Sequence, residues 1–225
     1  MHQNRKIFII LLCGALLLAG FFTAPAAKAD LAVSTWEGLC RILCDPANKN
    51  GTVKLSGNIT WNENASGYAE VPAGQVITLD LAGYTLDRGL SGSAAREDGY
   101  VIANYGTLTV TDSRGGGRIT GGCNSGNGGG ILNSGRLTVS GGTISGNQTA
   151  KWGGGIYLAQ NSTLVMNGGS VTGNTCGQDG GGIYVPFGTN VNVYGNPVVS
   201  SNTKQQETST ISVLISAYTC LCLTG

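Results

Sequence analysis

Between residues 100 and 203 the apolar positions fall into short runs, each closed by glycine. Leu108-Thr109-Val110, Leu137-Thr138-Val139, Leu164-Val165-Met166 and Val191-Asn192-Val193 present aliphatic side chains two positions apart. Such pairs point to one face of an extended strand and predict a half-buried β-strand. Ahead of each run stands a single isoleucine: Ile102, Ile131, Ile156 or Ile183. Behind each stands another aliphatic residue: Ile119, Ile144, Val171 or Val199. Four inward columns follow, with three short strands in every turn of the chain.

The glycines fix the period. Gly128-Gly129-Gly130-Ile131, Gly153-Gly154-Gly155-Ile156-Tyr157 and Gly180-Gly181-Gly182-Ile183-Tyr184 recur 25 and then 27 residues apart. Each repeat ends on an apolar residue and an asparagine: Ile144-x-x-Asn147, Val171-x-x-Asn174, Val199-x-x-Asn202. One repeat of this length cannot bury its own apolar face and must stack on a neighbour, so the pattern predicts a solenoid. Parallel strands joined by same-sense crossovers make it right-handed. The repeat is too long, and not divisible by six, for a left-handed hexapeptide helix. Leucine-rich repeats are excluded by the missing Leu/Asn consensus and the lack of any helical stretch in the coils. The predicted fold is therefore all-β: a right-handed single-stranded parallel β-helix of the pectate-lyase-like kind, over residues 51–203.

Upstream, Thr52-Val53-Lys54-Leu55 and Val76 to Leu81 read as further strands. Residues 30–50 carry a short N-terminal capping helix. Trp36, Leu39, Cys40, Leu43 and Cys44 share one stripe, on which the cysteines read as small core hydrophobes. Ser34 and Glu37 form a capping box at its start, and the stripe is suited to cover the open end of the stack. Residues 87–99 are small and polar and are expected to leave the stack as a loop. Residues 204–225 break the repeat rules and read as an atypical C-terminal segment, truncated or misread. They are apolar, β-prone and an aggregation hazard.

Residues 1–29 read as a signal peptide. Arg5 and Lys6 form a basic start, Ile7 to Phe22 an apolar run, and Ala27-Lys28-Ala29 a cleavage site. An extracellular or cell-surface location follows as an expectation, with no transmembrane segment after cleavage. Removal of this segment leaves ten basic against twelve acidic residues, a net charge near −2. Nucleic acid and anionic membranes are then poor partners, because nothing neutralises phosphate. Six cysteines remain. Cys123 and Cys176 lie two repeats apart, hence about 10 Å apart, too far to bridge. The only histidine is His2, so no metal site and no cofactor are expected.

The Gly-Gly-Gly-Ile-Tyr corners and Ile/Val-x-x-Asn ends resemble the repeats of exported bacterial right-handed parallel β-helix proteins. They are similar to the Gly-Gly-Ala-Ile and Phe-x-x-Asn repeats of the chlamydial polymorphic outer membrane protein family. The Val76–Leu86 stretch resembles the N-terminal coil of such secreted proteins. The resemblance spans residues 34–203 and implies an adhesin or surface protein. Here Ile or Val replaces the Phe of that pattern, and Gly replaces its Ala.

Polysaccharide lyases and glycoside hydrolases use the same fold and need paired carboxylates or a cation with a basic residue. The repeats offer only Asp112 and Asp179, at different positions of their coils. The triple glycines lack the Lys-Ser/Thr and the helix of a phosphate cradle, and read as turns. The asparagine column reads as a stack of amides bonded coil to coil. One outward feature remains. Tyr157 and Tyr184 each lie between two inward residues on adjacent coils, with Trp152 and Phe187 nearby. An aromatic ridge of this kind can bind a sugar or a protein, or merely stiffen the face. The sequence thus predicts a non-catalytic surface protein for adhesion or recognition of a glycan or protein ligand. A polysaccharide-active enzyme is the alternative.

Overall fold

Ile102, Ile131, Ile156 and Ile183 pair in parallel register from coil to coil. So do Leu108, Leu137, Leu164 and Val191, with Val110, Val139, Met166 and Val193 beside them. Ile119, Ile144, Val171 and Val199 form the fourth column. All four predicted columns are therefore real, and their members from the upper coils are buried in one continuous aliphatic core. The chain is a parallel β-helix. The computed structural model describes residues 30–65, 67–205 and 213–215, so the predicted signal peptide and most of the C-terminal segment lie outside the described residues.

From the strand at Thr107–Thr111 onward, each repeat turns through four sheets rather than three. Sheet I has seven strands, at Leu31–Val33, Gly51–Leu55, Val76–Asp80, Thr107–Thr111, Arg136–Val139, Thr163–Met166 and Asn190–Val193. Sheet II has six, at Ile59–Thr60, Thr85–Asp87, Arg118–Thr120, Thr143–Ser145, Ser170–Thr172 and Val198–Ser200. Sheet III has four two-residue strands, at Cys123–Asn124, Gln148–Thr149, Thr175–Cys176 and Thr203–Lys204. Sheet IV has six, at Ala69–Val71, Ile102–Asn104, Ile131–Asn133, Ile156–Leu158, Ile183–Val185 and Val213–Ile215. Sheet III was not foreseen, because two residues are too few to show alternation. It forms where the asparagine corner turns the chain back into pairing with the coils on either side.

Two features make the corners. The first glycine of each triplet is left-handed, with φ +77° at Gly128, +74° at Gly153 and +70° at Gly180. The next two pass so close to the neighbouring coil that no side chain fits. A Cβ on Gly130 would lie 2.6 Å from the Gly155 carbonyl, and one on Gly129 would press into the Gly154 carbonyl. The asparagines close the other corner. Asn147 Nδ2 donates to Asn174 Oδ1 and Asn174 Nδ2 to Asn202 Oδ1, each over 3.0 Å. The same acceptors also take the backbone N–H groups of Asn147 and Asn174, at 3.1 and 3.0 Å. A ladder of this kind satisfies buried polar groups that would otherwise be costly to desolvate. Sheet IV has a second amide contact, from Asn104 Nδ2 to Asn133 Oδ1 at 2.7 Å.

Helix α1 (Trp36–Cys44) covers the N-terminal end and buries Trp36, Leu39 and Leu43. Its cap differs from the prediction by one residue. Thr35, not Ser34, takes the extended N-cap conformation and accepts from Gly38 N at 3.2 Å. Of the two cysteines, Cys40 is half-buried and packs against the core as expected, whereas Cys44 is exposed and departs from that reading. Their thiols face the outermost strand of sheet IV. Trp36 Nε1 donates to Gly67 O at 3.2 Å, Cys40 Sγ to Tyr68 O at 3.6 Å and Cys44 Sγ to Glu70 O at 3.8 Å. One helical stripe at i, i+4 and i+8 thus supplies donors to an unpaired strand edge.

Residues 87–99 do not leave the stack. Arg88 N and Leu90 N donate to Thr120 O and Gly121 O, and Arg96 bridges to Asn124. The Arg88 side chain is fully buried. Among the described residues no helix is long and apolar enough to cross a membrane.

Candidate functional site

The outer face of sheet IV carries a column that runs Glu70, Ala103, Leu132, Tyr157, Tyr184. Each of these residues lies between two whose side chains turn inward, so the alternation of the strand sends it outward. Tyr157 and Tyr184 are half-buried neighbours whose ring centroids lie 5.6 Å apart with planes inclined by only 3°. Trp152, at the corner before the strand, stacks on Tyr184 at 5.5 Å and 22°. Tyr184 therefore contacts both of the other rings. Burial raises the Tyr157 hydroxyl above its ordinary pKa, and the neighbouring Tyr184 adds to this. That hydroxyl is a neutral hydrogen-bonding tip on an apolar body at physiological pH.

Three of the four predicted aromatic residues thus come together. Phe187 does not join them: it sits in the connection that follows the strand and is 83 % exposed. The orientation of the rings was not legible in the sequence. Near-parallel planes at about the strand spacing mean that the rings lie over one another along the axis. The Tyr157 hydroxyl is also tied to the side chain of Asn127.

A second aromatic group on the same sheet escaped the sequence reading. Tyr68 and Tyr100 meet with centroids 4.5 Å apart and planes tilted by 59°. Tyr105 flanks them and is 38 % exposed. Burial, followed by hydrogen bonding with Tyr68, pushes the Tyr100 hydroxyl up. The signal was there to find: Gly99-Tyr100-Val101-Ile102 occupies the register of the Gly-Gly-Gly-Ile corners, with bulk in place of two glycines.

The two acids that an enzyme would need are engaged in other ways. Asp112 accepts from Gly83 N and Gly117 N, both at 2.7 Å, and braces two turns between sheets I and II. Asp179 lies at the opposite corner, before sheet IV, where it pairs with Lys204 at 3.5 Å. The two carboxylates therefore do not converge on each other. No protein family, curated protein or solved structure matches this chain.

Proposed function

We propose that the chain is a non-catalytic, exported surface module that recognises a glycan or protein partner through the outer face of sheet IV. The observation that carries this reading is the stack Trp152–Tyr184–Tyr157 held on paired parallel strands. Strand register fixes the spacing of the two tyrosines, so little side-chain freedom is left to lose on binding. Aromatic residues with polar tips are the side chains most used for such contacts. The β-helix is then a rigid spacer, and its dry core presents the face without taking part in recognition.

Binding of the purified protein to a glycan array and to intact cells tests this. Tyr157→Ala with Tyr184→Ala should lower binding by about tenfold or more, because two anchoring side chains are lost, while cooperative unfolding is retained. Unchanged binding by that variant would remove the aromatic face from the reading. Release of products from uronate or neutral polysaccharides, lost in Asp179→Asn, would replace the module with an enzyme.

A further inference from the structure

Sheets I and II stop, among the described residues, at Asn190–Val193 and Val198–Ser200. In the last coil the inward side chains are open to solvent: Val193 is 46 % exposed, where Val110, Val139 and Met166 of its column are buried, and Val199 of sheet II is only half-buried. Sheet IV goes one strand further. Val213–Ile215 pairs in parallel with Ile183–Val185, with Val213 opposite Ile183. Among the described residues, a next coil has therefore begun on the sheet IV side of the prism and not on the sides of sheets I and II.

The sequence beyond residue 215 carries the register of that coil. Leu221 stands as far after Val213 as Val191 stands after Ile183 and Leu164 after Ile156. Leu223 then falls in the column of Met166 and Val193, and Gly225 at the corner held by Gly168 and Gly195. Thr219 matches Thr189 without a gap. Aliphatic residues two apart, at the correct distance from an isoleucine-column residue and followed by glycine, are the signature of a sheet I strand in this chain.

We propose that the open edge of sheet I is the docking site for this chain's own residues 219–223, which lie outside the described residues. Leu221 covers Val191 and Leu223 covers Val193. Cys222 takes the outward position beside Asn192. The segment that looks like an aggregation hazard in the sequence thereby closes the exposed apolar end of the stack and occupies the unpaired strand edge. A second copy of the chain is the rival occupant, and the test separates the two.

The probe is a disulfide between Cys222 and the thiol introduced by Asn192→Cys, in a Cys220→Ser background. Neighbours in register on parallel strands lie about 4.8 Å apart, inside the range a disulfide spans. Thr138→Cys, in the same outward column two coils away from Asn192, is the control. Under mild oxidation the Asn192→Cys protein should form an intramolecular bond from its introduced thiol to Cys222, mapped by mass spectrometry. It should do so at least about tenfold faster than Thr138→Cys, whose partner would lie about 14 Å away. Equal rates, or a thiol at Cys222 that stays reduced, would overturn the docking. A disulfide-linked dimer through the same two positions would assign the edge to a second copy and overturn it as well. Leu221→Asp with Leu223→Asp provides a second measurement. It should slow the intramolecular cross-link about tenfold or more, because each buried aspartate strongly disfavours the docked strand. An unchanged rate in that variant would also overturn the docking.

Discussion

The guanidinium carbon of Arg88 lies 3.9 Å from the centroid of the Trp61 ring, and the Arg88 side chain is shut off from solvent. Trp36 of helix α1 stands on the same charge at 5.7 Å, and Arg96 reaches Trp61 at 5.2 Å. Asp98 lies 3.5 Å from Arg88 Nη2, while Tyr100 O accepts from Arg88 Nε at 3.3 Å. One buried cation thus ties the loop of residues 87–99 to the helical cap and to the first coils. Burial is the main influence on this group and lowers its pKa, with Asp98 opposing.

Arg88→Lys should therefore not be conservative. A lysine keeps the charge but loses the planar stack on Trp61 and the fork of donors. A desolvated cation–π contact is worth about 2 kcal/mol, and removing one partner of a buried charged cluster costs about 3–5 kcal/mol. Denaturant unfolding should place Arg88→Lys about 2 kcal/mol below the parent protein and Arg88→Ala lower still. A lysine variant as stable as the parent would show that the ring contact contributes nothing.

What the sequence made legible depended on repetition. The four aliphatic columns were readable because each position occurs several times, so that Ile131, Ile156 and Ile183 could be compared with one another. The asparagine ladder was readable for the same reason. Arg88 occurs once, in a run of small polar residues, where a charged side chain ordinarily reads as solvated. The roles of Cys40 and Cys44 depend on which strand edge lies beneath the helix, and helical spacing alone cannot supply that. At the aromatic face, the alternation around Tyr157 and Tyr184 placed both outward, but the planes of their rings follow from packing with Trp152.

The amide ladder should be weakest to substitution at its middle member. Asn174 accepts from the Asn147 backbone and side chain and donates to Ile144 O at 2.9 Å and to Asn202. Asn174→Ala would leave buried donors and acceptors on three coils, each worth about 1–3 kcal/mol when unpaired. Asn174→Asp should be worse at neutral pH, because an anionic oxygen then faces the acceptors to which the amide nitrogen donates. Thermal melting of the Ala, Asp and parent proteins checks the order. If Asn174→Asp melts with the parent protein, the assigned amide orientation is wrong.

Asp80 gives the fold an acid limb. Burial opposes its ionisation, yet hydrogen bonds from Ser113, Lys54 and Ala82 outweigh this and hold the carboxyl at about 2, against an ordinary 3.8. Its Oδ1 accepts from Ala82 N and Ser113 N, both at 2.9 Å, and its Oδ2 lies 3.0 Å from Lys54 Nζ. A carboxyl whose pKa is depressed on folding stabilises the native state above its unfolded value. That contribution is lost as pH falls through the folded value. It amounts to about 2 kcal/mol at neutral pH, and it fades from just above 3.8 down to about 2. Asp80→Asn should lower stability by about that amount at pH 7 and flatten the stability profile in this window, as followed by urea denaturation at several pH values. An acid limb of unchanged steepness in the variant would assign it to other carboxylates.

The cysteines of helix α1 should be slow to react, and unequally so. Burial is the largest influence on Cys40, followed by the charge of Cys44, and together with Glu37 they push its thiol up to about 11 from 9.0. Cys44 is raised too, by burial and then by Glu70, but it lies exposed at the end of the helix. The thiolate is the nucleophile, so a rise of this size lowers the reactive fraction at pH 8 by about 100-fold. Iodoacetamide labelling, read by mass spectrometry, should then modify Cys40 about 100-fold more slowly in the native protein than in urea, with Cys44 labelled first. Because the Cys40 thiol also donates to Tyr68 O, its alkylation removes a donor from the edge of sheet IV and should loosen the cap. The melting temperature should fall further after Cys40 is modified than after Cys44 alone is modified, because Cys44 also donates to the edge but lies exposed. Native and denatured rates within about threefold of each other would mean that the thiol is not held as the structure places it.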